Sequence, residues 1–471
     1  MTRRVSRRRF LAAATAAAGY FTTAPAHSAG KIAGSNGRLR LAGVGVGGKG
    51  SGDITQAGQL GEVVALCDAD ANTLGRKARE FPQAEKFFDF RAMFDELGRQ
   101  IDAVTVSTPD HTHAAAALLA MRTGKHVYVQ KPLTRTVYEA HLLMRVAKEK
   151  GVCTQMGNQG TAHPGLRRGV ELVQAGTIGP VKEVHVWTNR PIWPQAPLVT
   201  KRPPEVPVPR HVHWDEWLGP APARPYAEYP KPIAVGRRKV TAPYHPFAWR
   251  GWWDFGTGAI GDMACHTANL AFLALKLTQP TRVSAEAGDV NPETCPSYAH
   301  VTMQFPARGE LPPVTLHWYE GRKNGEKLTP PREMLARVLK PDERLADSGS
   351  MLVGEKGILF SPNDNGAAFR IVGEVPDGLN LTRPEKLPAY EGPTDPNQKR
   401  EWVEAIQAGK PSAALSNFDY AALLTSSFLL GNVAIRTGRP VEWDAATLTA
   451  RGGDGVAALI KPEYRKGWDL G

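Results

Sequence analysis

The stretch of this chain that decides its fold is Leu39-Arg40-Leu41-Ala42-Gly43-Val44-Gly45-Val46-Gly47-Gly48-Lys49-Gly50. A short apolar strand signal at 39–44 runs directly into glycines that fit the pattern G-x-G-x-x-G. Such glycines allow a tight turn, close approach of the backbone to a pyrophosphate, and close packing of the next helix on the strand. The N-terminus of that helix then faces the phosphates. The stretch therefore predicts a βαβ unit that binds a dinucleotide.

The glycine motif fits two frames. Gly45, Gly47 and Gly50 form the first frame, and Gly43, Gly45 and Gly48 form the second. We prefer the first frame because it leaves a longer strand before the turn. On this interpretation Gly45, Gly47, Gly48 and Gly50 bind the cofactor.

An acid stands at the end of the next strand signal, at 62–67. Asp68 follows Gly50 by 18 residues. A carboxylate at this place accepts hydrogen bonds from the adenosine ribose and repels a 2′-phosphate. The sequence therefore predicts NAD as the cofactor. The nearby cations Arg76 and Lys77 keep NADP as the alternative.

The order of elements predicts two domains. Strand signals at 62–67, 101–107 and 126–129 alternate with helical patterns at 72–81, 111–123 and 137–150. This alternation indicates a parallel sheet covered by helices, so we predict an α/β Rossmann domain at 38–160. Strand-like runs return after residue 180, and they predict an α+β domain with a mostly antiparallel sheet. That domain, at 161–445, is expected to hold the substrate and the oligomer contacts, with a C-terminal tail at 446–471.

The N-terminus has the features of an export signal. Ser6-Arg7-Arg8-Arg9-Phe10-Leu11 precedes a short apolar run, and Ala24-Pro25-Ala26 offers the small residues that a signal peptidase reads. This predicts a twin-arginine signal peptide at 1–26, a linker at 27–37, the twin-arginine export machinery as a partner, and a periplasmic or otherwise extracytoplasmic location. An uncleaved anchor is the alternative. No later stretch reads as long and apolar enough to span a bilayer, so we expect no stable membrane insertion after processing.

Composition argues against two other classes of partner. The net charge is +12, of which five charges come from Arg3, Arg4, Arg7, Arg8 and Arg9 in the predicted signal peptide. The remaining excess is spread along the chain without a basic stripe, so nucleic-acid binding is not expected. The four cysteines form no C-x-x-C pair, and His211-Val212-His213 has no third ligand at a suitable spacing. No metal site is therefore predicted.

Two later strand signals end in polar residues. Ser107-Thr108-Pro109-Asp110-His111-Thr112-His113 follows one, and Gln130-Lys131-Pro132 follows the other. Ligands bind at the carboxyl ends of parallel strands. We therefore expect five residues here to face the cofactor: Thr108, Pro109, His113, Gln130 and Lys131.

At these two segments the chain resembles the Gfo/Idh/MocA oxidoreductase family, which carries T-P-x-x-x-H and then E-K-P at the corresponding positions. The resemblance runs from residue 38 to about residue 445. It departs from the family pattern at Gln130, which replaces a glutamate and removes a charge beside Lys131.

Asp262 and His266 stand four residues apart on one helix face, a spacing that lets them act together. Oxidation of an alcohol needs a base for the hydroxyl proton, and the pKa of histidine is ordinarily near neutrality. The family resemblance implies that Lys131, Asp262 and His266 are the catalytic set. On that basis His266 is the base, Asp262 orients the substrate, and Lys131 hydrogen-bonds the reacting hydroxyl.

Seven of the eleven tryptophans fall between Trp187 and Trp253, in a proline-rich excursion with little periodicity. Flat aromatic faces suit the apolar faces of sugars, although proline-rich segments also need large side chains to stay ordered. Trp193, Tyr244 and Trp249 are the candidates for the wall of the substrate pocket.

Together these features predict an NAD(P)-dependent oxidoreductase that acts on a sugar, polyol or glycoside. Export implies a tightly bound cofactor that is recycled in place. One alternative is a redox-neutral, NAD-dependent glycoside hydrolase or lyase. Another is a non-catalytic carbohydrate-binding protein. The resemblance also implies a homodimer or homotetramer formed through the open face of the second sheet.

Overall fold

A computed structural model describes residues 37–374, 378–451, 453 and 455–470. The predicted signal peptide at 1–26, and the linker up to residue 36, lie outside the described residues.

The first domain is a parallel sheet of six strands in the order β3-β2-β1-β4-β5-β6. Its strands are β1 (Leu39–Val44), β2 (Gly61–Cys67), β3 (Glu85–Phe87), β4 (Ala103–Val106), β5 (His126–Val129) and β6 (Thr154–Met156). The connecting helices are α1 (Gly48–Gly58), α2 (Ala71–Ala78), α3 (Phe90–Leu97), α4 (Asp110–Arg122) and α5 (Val137–Lys150). From β1 the chain adds β2 and β3 on one side and then adds β4, β5 and β6 on the other side. The carboxyl ends of β1 and β4 therefore border the crevice where such sheets bind ligands.

Helix α5 shows why the local sequence was informative. The Oγ1 of Thr136 accepts the N–H of Glu139, while the Glu139 carboxylate accepts the N–H of Thr136. This capping box satisfies two N–H groups at the start of the helix. At the other end, Gly151 adopts a φ of +62°, a left-handed conformation that glycine adopts without strain. The helix predicted at 137–150 is confirmed residue for residue.

The second domain begins with α6 (Pro164–Gln174) and β7 (Val181–Trp187). After β7 comes the tryptophan-rich excursion, residues 189–257, whose short elements are α7 (Trp214–Leu218), β8 (Ile233–Val235) and β9 (Arg238–Val240). The rings of Trp214, Trp217, Tyr244, Trp252 and Phe255 pack together within it, with the centroids of Trp214 and Trp217 4.8 Å apart. Aromatic burial thus orders a segment that has little regular hydrogen bonding.

The remaining elements build a large mixed sheet. They are α8 (Gly258–Thr267), α9 (Asn269–Ala274), β10 (Arg282–Gly288), β11 (Tyr298–Phe305), β12 (Val314–Lys323), β13 (Glu326–Lys327), α10 (Arg332–Ala336), β14 (Gly349–Gly354), β15 (Gly357–Ser361) and β16 (Arg370–Gly373). The strand order is β16-β15-β14-β7-β12-β11-β10, continued by two later strands. Only β7 and β12 pair in parallel, so the predicted mostly antiparallel sheet is confirmed.

The last part of the chain serves both domains. It comprises α11 (Thr394–Gln407), α12 (Phe418–Thr437), β17 (Val441–Asp444), β18 (Thr449–Arg451) and α13 (Val456–Ile460). Helix α11 returns to the first domain, where Trp402 is fully buried in the core that also contains β1 and β2. The region predicted as a tail at 446–471 includes buried Trp468 and Leu470, so it is an integral part of the fold.

Helix α12 corrects one expectation from the sequence. Among the described residues it is the one helix long and apolar enough to cross a membrane, so the statement that no later stretch reaches that threshold was wrong. The physical reason is its position: 78% of the apolar window is buried inside the protein, where α12 packs against α5, α8 and β10. A core helix that is enclosed on most sides is apolar nearly all round.

Candidate active site

The glycine loop between β1 and α1 leaves no room for a side chain at Gly45 or Gly50. A Cβ on Gly50 would lie 2.0 Å from the carbonyl oxygen of Gly45, and a Cβ on Gly45 would lie 2.7 Å from the carbonyl of Ser107. Gly45 also has a φ of +76°, which other residues rarely adopt. The first frame, G-x-G-x-x-G from Gly45 to Gly50, therefore describes the turn.

The start of α1 is suited to a pyrophosphate. Its N-cap residue is Gly47, which has no side chain that could occupy the first N–H groups of the helix. A Cβ on Gly47 would lie 2.7 Å from Thr73, so the backbone there is bordered by α2. Free N–H groups and the helix dipole favour an anion at this place. The residues present therefore fit the phosphates of a dinucleotide.

Asp68 follows β2 directly and supports the glycine loop. Its Oδ2 accepts the N–H of Val46 at 2.8 Å, and its Oδ1 accepts the N–H of Asp70 at 2.9 Å. Burial raises the pKa of Asp68, while these two hydrogen bonds favour the ionised form. Each oxygen keeps a lone pair for a ribose hydroxyl. The place predicted for ribose recognition thus carries a suitable acceptor.

Arg76 and Lys77, the two cations that made NADP an alternative cofactor, differ in whether they are free to bind a phosphate. Lys77 is buried, and its Nζ donates to the Ser51 carbonyl, Thr55 and Glu80. Arg76 is exposed and donates one hydrogen bond, to Thr73. Lys77 is therefore committed to the packing of α1 on α2, and only Arg76 remains for a 2′-phosphate.

Gln130 does not simply replace a charged residue; it belongs to a buried polar cluster. Its Nε2 donates to Asp53 Oδ2 at 2.8 Å, and Ser107 Oγ donates to the same oxygen at 2.9 Å. Lys49 and Lys399 each place their Nζ 2.7 Å from Asp53 Oδ1. The fully buried carboxylate of Asp53 thus joins α1, the ends of β4 and β5, and α11. No signal in the local sequence marks Asp53 or Lys399 as parts of the site.

His113 has a different role from the one predicted. Its Nδ1 lies 2.9 Å from the carbonyl oxygen of Pro132, and its Nε2 lies 2.8 Å from the carbonyl oxygen of Thr108. Burial lowers the pKa of His113 to about 4. Because both ring nitrogens face backbone carbonyls, the ring has no polar atom left for a cofactor. His113 instead fixes the loops after β4 and β5, which carry Thr108, Pro109 and Lys131, in relation to each other.

A cavity of about 270 Å³ opens between the loop after β5 and α8. It is lined by Lys131, Gln159, Arg190, Ile192, Trp193, Phe247, Arg250, Asp262, Met263, His266, Asp364 and Asn365. The structure therefore brings together the three residues predicted as catalytic, although 131 positions separate Lys131 from Asp262.

Lys131 and Asp262 form an ion pair at the cavity wall. Lys131 Nζ lies 2.8 Å from Asp262 Oδ1 and 2.8 Å from the Asp262 carbonyl oxygen. Arg250 Nε donates to the same Oδ1 at 3.3 Å. Burial would raise the pKa of Asp262, but the charges of Lys131 and Arg250 outweigh it and hold the pKa well below its usual range. The carboxylate is therefore ionised, and one N–H of Lys131 is left for a substrate.

His266 is a neutral imidazole in this site. Burial, with a further contribution from the charge of Lys131, lowers its pKa to about 3. Its Nδ1 is shut off from solvent and has no hydrogen-bond partner among the described residues. The pKa near neutrality expected from the sequence is thus not found, because the ring is buried beside a cation. The negative charge of Asp262 raises the pKa of His266 by less than burial and Lys131 lower it. Asp262 Oδ1 is also hydrogen-bonded to Lys131 and Arg250.

The three aromatic candidates divide. Trp193 lines the cavity, as predicted. Tyr244 does not, because its ring is buried among Trp217, Trp252 and Phe255. Trp249 lies behind the wall and stacks on the Arg250 guanidinium, 4.2 Å from the guanidinium carbon to the ring centroid. Arg190 and Arg250, two polar residues of the excursion, also line the cavity. Phe247 was not foreseen, because nothing in the excursion marks which aromatic side chains face inward.

The excursion also reaches the first domain at the end of β2. The N–H of Ala71 donates to the His211 carbonyl at 2.8 Å, and the N–H of His213 donates to the Ala69 carbonyl at 2.8 Å. His245 Nε2 lies 2.8 Å from Asp70 Oδ2. We call these contacts, between residues 69–71 and His211, His213 and His245, the clasp. It lies next to Asp68, at the edge of the sheet where an adenosine would bind.

His211 and His213 lie in the excursion, outside the lining of the cavity. Within the described ranges, no three His, Cys, Asp or Glu side chains come together in a way that could hold a metal ion. The ring of His213 stacks on Phe88 instead, with centroids 3.7 Å apart.

Two family models match the chain. One, described as the oxidoreductase family with an NAD-binding Rossmann fold, matches residues 38–158. The other, described as the C-terminal alpha/beta domain of the oxidoreductase family, matches residues 171–311. Both belong to the Gfo/Idh/MocA group. The prediction of an NAD-binding Rossmann domain is confirmed.

Curated relatives resemble only part of the chain. It is 27% identical over 114 residues to the levoglucosan dehydrogenase of Pseudarthrobacter phenanthrenivorans, which is 24% of this chain and 29% of that protein. It is 30% identical over 130 residues to a glycosyl hydrolase family 109 protein of Shewanella pealeana, which is 26% of this chain and 28% of that protein. The similarity thus spans less than a third of the length of these relatives.

Likeness to solved structures extends further along the chain. The aldose–aldose oxidoreductase of Caulobacter crescentus, solved with glycerol, aligns over 86% of this chain and 99% of its own, with a TM-score of 0.55. At 16% identity this likeness concerns the fold alone.

Proposed function

Because the chain belongs to the Gfo/Idh/MocA oxidoreductase family, we propose that it is an NAD(P)-dependent enzyme that oxidises or reduces a CH–OH group of a sugar, polyol or glycoside. The observation that carries this proposal is the meeting of Lys131, Asp262 and His266 at one cavity. That cavity lies beside the loop after β5, at the end of the sheet that carries the glycine loop.

Lys131, His266 and Asp262 have different roles in the transfer of one proton. When bound, NAD accepts a hydride from the carbon that carries the substrate hydroxyl. Lys131, held by two oxygens of Asp262, points its remaining N–H group to a hydroxyl oxygen and polarises it. His266 is unprotonated, so a ring nitrogen can accept the hydroxyl proton. Asp262 holds the Lys131 ammonium in place through its carboxylate and its backbone carbonyl.

The basicity of His266 depends on what fills the cavity. A pKa of about 3 describes a ring that is buried beside the charge of Lys131. A negative charge developing on the substrate oxygen would offset the Lys131 charge and make the imidazole a better proton acceptor. We therefore propose that His266 takes the proton as the substrate oxygen becomes anionic, and not before.

Tight retention of the cofactor is part of the proposal. The clasp holds the excursion over the end of β2 by two backbone hydrogen bonds and the His245–Asp70 contact. These contacts would have to open before an adenosine could leave the neighbouring place. The enzyme would then recycle its cofactor with a second substrate without releasing it. NAD is favoured over NADP because Asp68 is ionisable and Lys77 is committed elsewhere.

The test uses the purified protein as isolated from cells. Denaturation and analysis of the released nucleotide should identify NAD at near one equivalent. Single-turnover absorbance then follows reduction of the bound cofactor by a panel of sugars and polyols. In His245→Gln the nucleotide should dissociate faster, while His300→Gln, a substitution on the second sheet, should retain it. A protein free of nucleotide that also fails to bind added NAD or NADP would contradict the proposal.

A second candidate is a redox-neutral glycoside hydrolase or lyase. The similarity to a glycosyl hydrolase family 109 protein favours it, because that relative and the levoglucosan dehydrogenase match this chain at comparable identity. In that case oxidation would be transient. Aryl glycosides distinguish the two: cleavage with no lasting reduction of the cofactor supports the hydrolase.

We also propose that the protein is exported by the twin-arginine route and works outside the cytoplasm. The support is Arg7-Arg8 before a short apolar run, and Ala24-Pro25-Ala26 after it. A homodimer or homotetramer formed through the second sheet completes the proposal, and sedimentation equilibrium of the mature protein tests it.

A further inference from the structure

Two arginines line the cavity that contains Lys131, Asp262 and His266. We propose that Arg190 and Arg250 bind a carboxylate of the substrate, so that the substrate is an acidic sugar such as a uronic or aldonic acid. This inference rests on the proposed function, since it assigns the substrate class of the same cavity.

Arg250 is held as a rigid, planar donor. Its guanidinium carbon lies 4.2 Å from the ring centroid of Trp249 and 4.8 Å from that of Phe247. Its Nε donates to Asp262 at 3.3 Å, and its Nη1 donates to the Phe247 carbonyl at 3.2 Å. Its Nη2 has no acceptor within the described part of the chain. A guanidinium that contacts two aromatic rings and donates two hydrogen bonds thus keeps a further donor available in the cavity wall.

Arg190 has more unused donors. Its Nη1 donates to the neighbouring Asn189 side chain. Its Nε and Nη2 have no acceptor among the residues that the structure describes. Asp347, an acid whose pKa the Arg190 charge helps to lower, is already paired with Lys327 at 2.5 Å. Arg190 therefore lacks the close carboxylate that a half-buried arginine ordinarily has.

The charges around the cavity do not balance. Its lining includes the cations of Lys131, Arg190 and Arg250, but only two carboxylates, those of Asp262 and Asp364. Among the lining residues one excess positive charge remains, in a partly enclosed space where charges interact more strongly than in water. A neutral sugar would leave that excess uncompensated. A ligand with one negative charge compensates it.

The charge of the cavity favours a carboxylate over a phosphate, although the N–H groups of an arginine can bind either anion. An arginine presents parallel N–H groups that match the two oxygens of a carboxylate. A phosphate monoester has about 1.5 to 2 negative charges at neutral pH, more than the excess in the cavity. Trp193 and Phe247 provide the apolar wall for the sugar ring.

The test compares matched pairs of sugars on the holoenzyme. Glucose and glucuronate, galactose and galacturonate, and glucitol and gluconate differ by one carboxylate, and glucose 6-phosphate is the phosphate probe. Calorimetry gives the dissociation constants, and single-turnover absorbance gives the reduction of bound cofactor. At least one acidic member should bind about tenfold or more tightly than its neutral partner and than the phosphate.

Arg190→Ala should raise the dissociation constant of that acid by about tenfold to a hundredfold. Binding of the neutral partner should change much less than binding of the acid, because a neutral sugar has no carboxylate for the guanidinium. Arg190→Lys should retain part of the affinity that Arg190→Ala loses, because lysine keeps the positive charge but lacks the two parallel N–H groups of the guanidinium. Arg145→Ala, which removes an exposed arginine of α5, is the control and should change nothing.

Two results would overturn the inference in distinguishable ways. If neutral sugars reduce the bound cofactor while every acidic partner binds no better, or Arg190→Ala leaves acid binding intact, the carboxylate site is wrong and the oxidoreductase proposal stands. If no sugar of either kind binds or reduces the cofactor, the proposed function itself fails.

Discussion

Lys131 Nζ lies 2.8 Å from both the carboxylate and the backbone carbonyl of Asp262, so the strand-end lysine and helix α8 are joined at two oxygens of one residue. A residue held in this way by a neighbour on another element has a defined direction for its remaining donors. In the proposed reaction this pair places a positive charge beside the substrate hydroxyl and beside His266.

Removal of the imidazole should suppress the chemical step. His266→Ala is expected to lower the rate of single-turnover reduction by about 10² to 10⁴. Lys131→Ala should have a comparable effect, and the double variant should cost far less than the product of the two, because both act in one proton transfer. Bound nucleotide should remain in His266→Ala. Full-rate reduction in that variant would assign the base to another group.

Restoring a glutamate at position 130 should destabilise the buried polar cluster. Gln130→Glu would place a second carboxylate where Gln130 Nε2 now donates to Asp53 at 2.8 Å. We expect a loss of about 1–3 kcal/mol in the free energy of unfolding, because a buried donor is replaced by a like charge. Thermal and denaturant unfolding measure it.

A second substitution tests the cause. Asp53→Asn supplies an amide donor opposite the new carboxylate, so Gln130→Glu combined with Asp53→Asn should be more stable than the sum of the single effects predicts. Strict additivity in this cycle would mean that the two side chains do not interact.

Asp68 should govern the choice between NAD and NADP. Asp68→Ala removes a ribose acceptor and the repulsion of a 2′-phosphate, so NAD affinity should fall and the affinity for NADP relative to NAD should rise. The loop itself should loosen, since Asp68 Oδ2 also holds the N–H of Val46. Calorimetry on nucleotide-free protein measures both ligands. Tighter binding of NADP than of NAD by the unaltered protein would contradict the assignment.

Acid should destabilise the protein through its buried histidines. Burial lowers the pKa of His111 to about 3 and that of His113 to about 4, against about 6.5 in the unfolded chain. Between about pH 6.5 and 4 the unfolded state therefore binds more protons than the folded state, and stability falls as the pH is lowered. The contribution is fully present above pH ~6.5 and is lost progressively below it.

Unfolding midpoints measured from pH 8 to pH 4 check this expectation. The midpoint should fall by several degrees or more below about pH 6. In His113→Gln the slope should be smaller, because one group no longer titrates. An unchanged slope would show that His113 is protonated to the same extent in both states.

Export should depend on the paired arginines. Replacing Arg7 and Arg8 by lysine is expected to leave the precursor inside the cell, since the twin-arginine route reads that pair. Cell fractionation and N-terminal sequencing of the exported wild-type protein, expected to begin near His27, provide the measurement. Normal export of the lysine variant would point to another route.

Local patterns determined the elements whose boundary signals lie in adjacent residues. The glycine loop predicted the end of β1 and the start of α1. Thr136, Glu139 and Gly151 marked the two ends of α5. The strands β14 to β18 went unrecognised, as did β3 and β6. Several of these are short, and their pairing depends on partners that are distant in the chain, such as β7 with β14.

The sequence by itself determined the Rossmann domain and the antiparallel second sheet, because periodicity, glycine turns and strand-end motifs are properties of contiguous residues. The catalytic candidates came from the family resemblance. Only the tertiary structure decided which side chains meet. It brought Gln130 and Lys399 together around Asp53 and placed both ring nitrogens of His113 against backbone carbonyls. It also placed Arg190 and Arg250 in the wall of the cavity. It also set the state of His266, because a pKa depends on burial and on nearby charge, and both arise only when distant segments pack together.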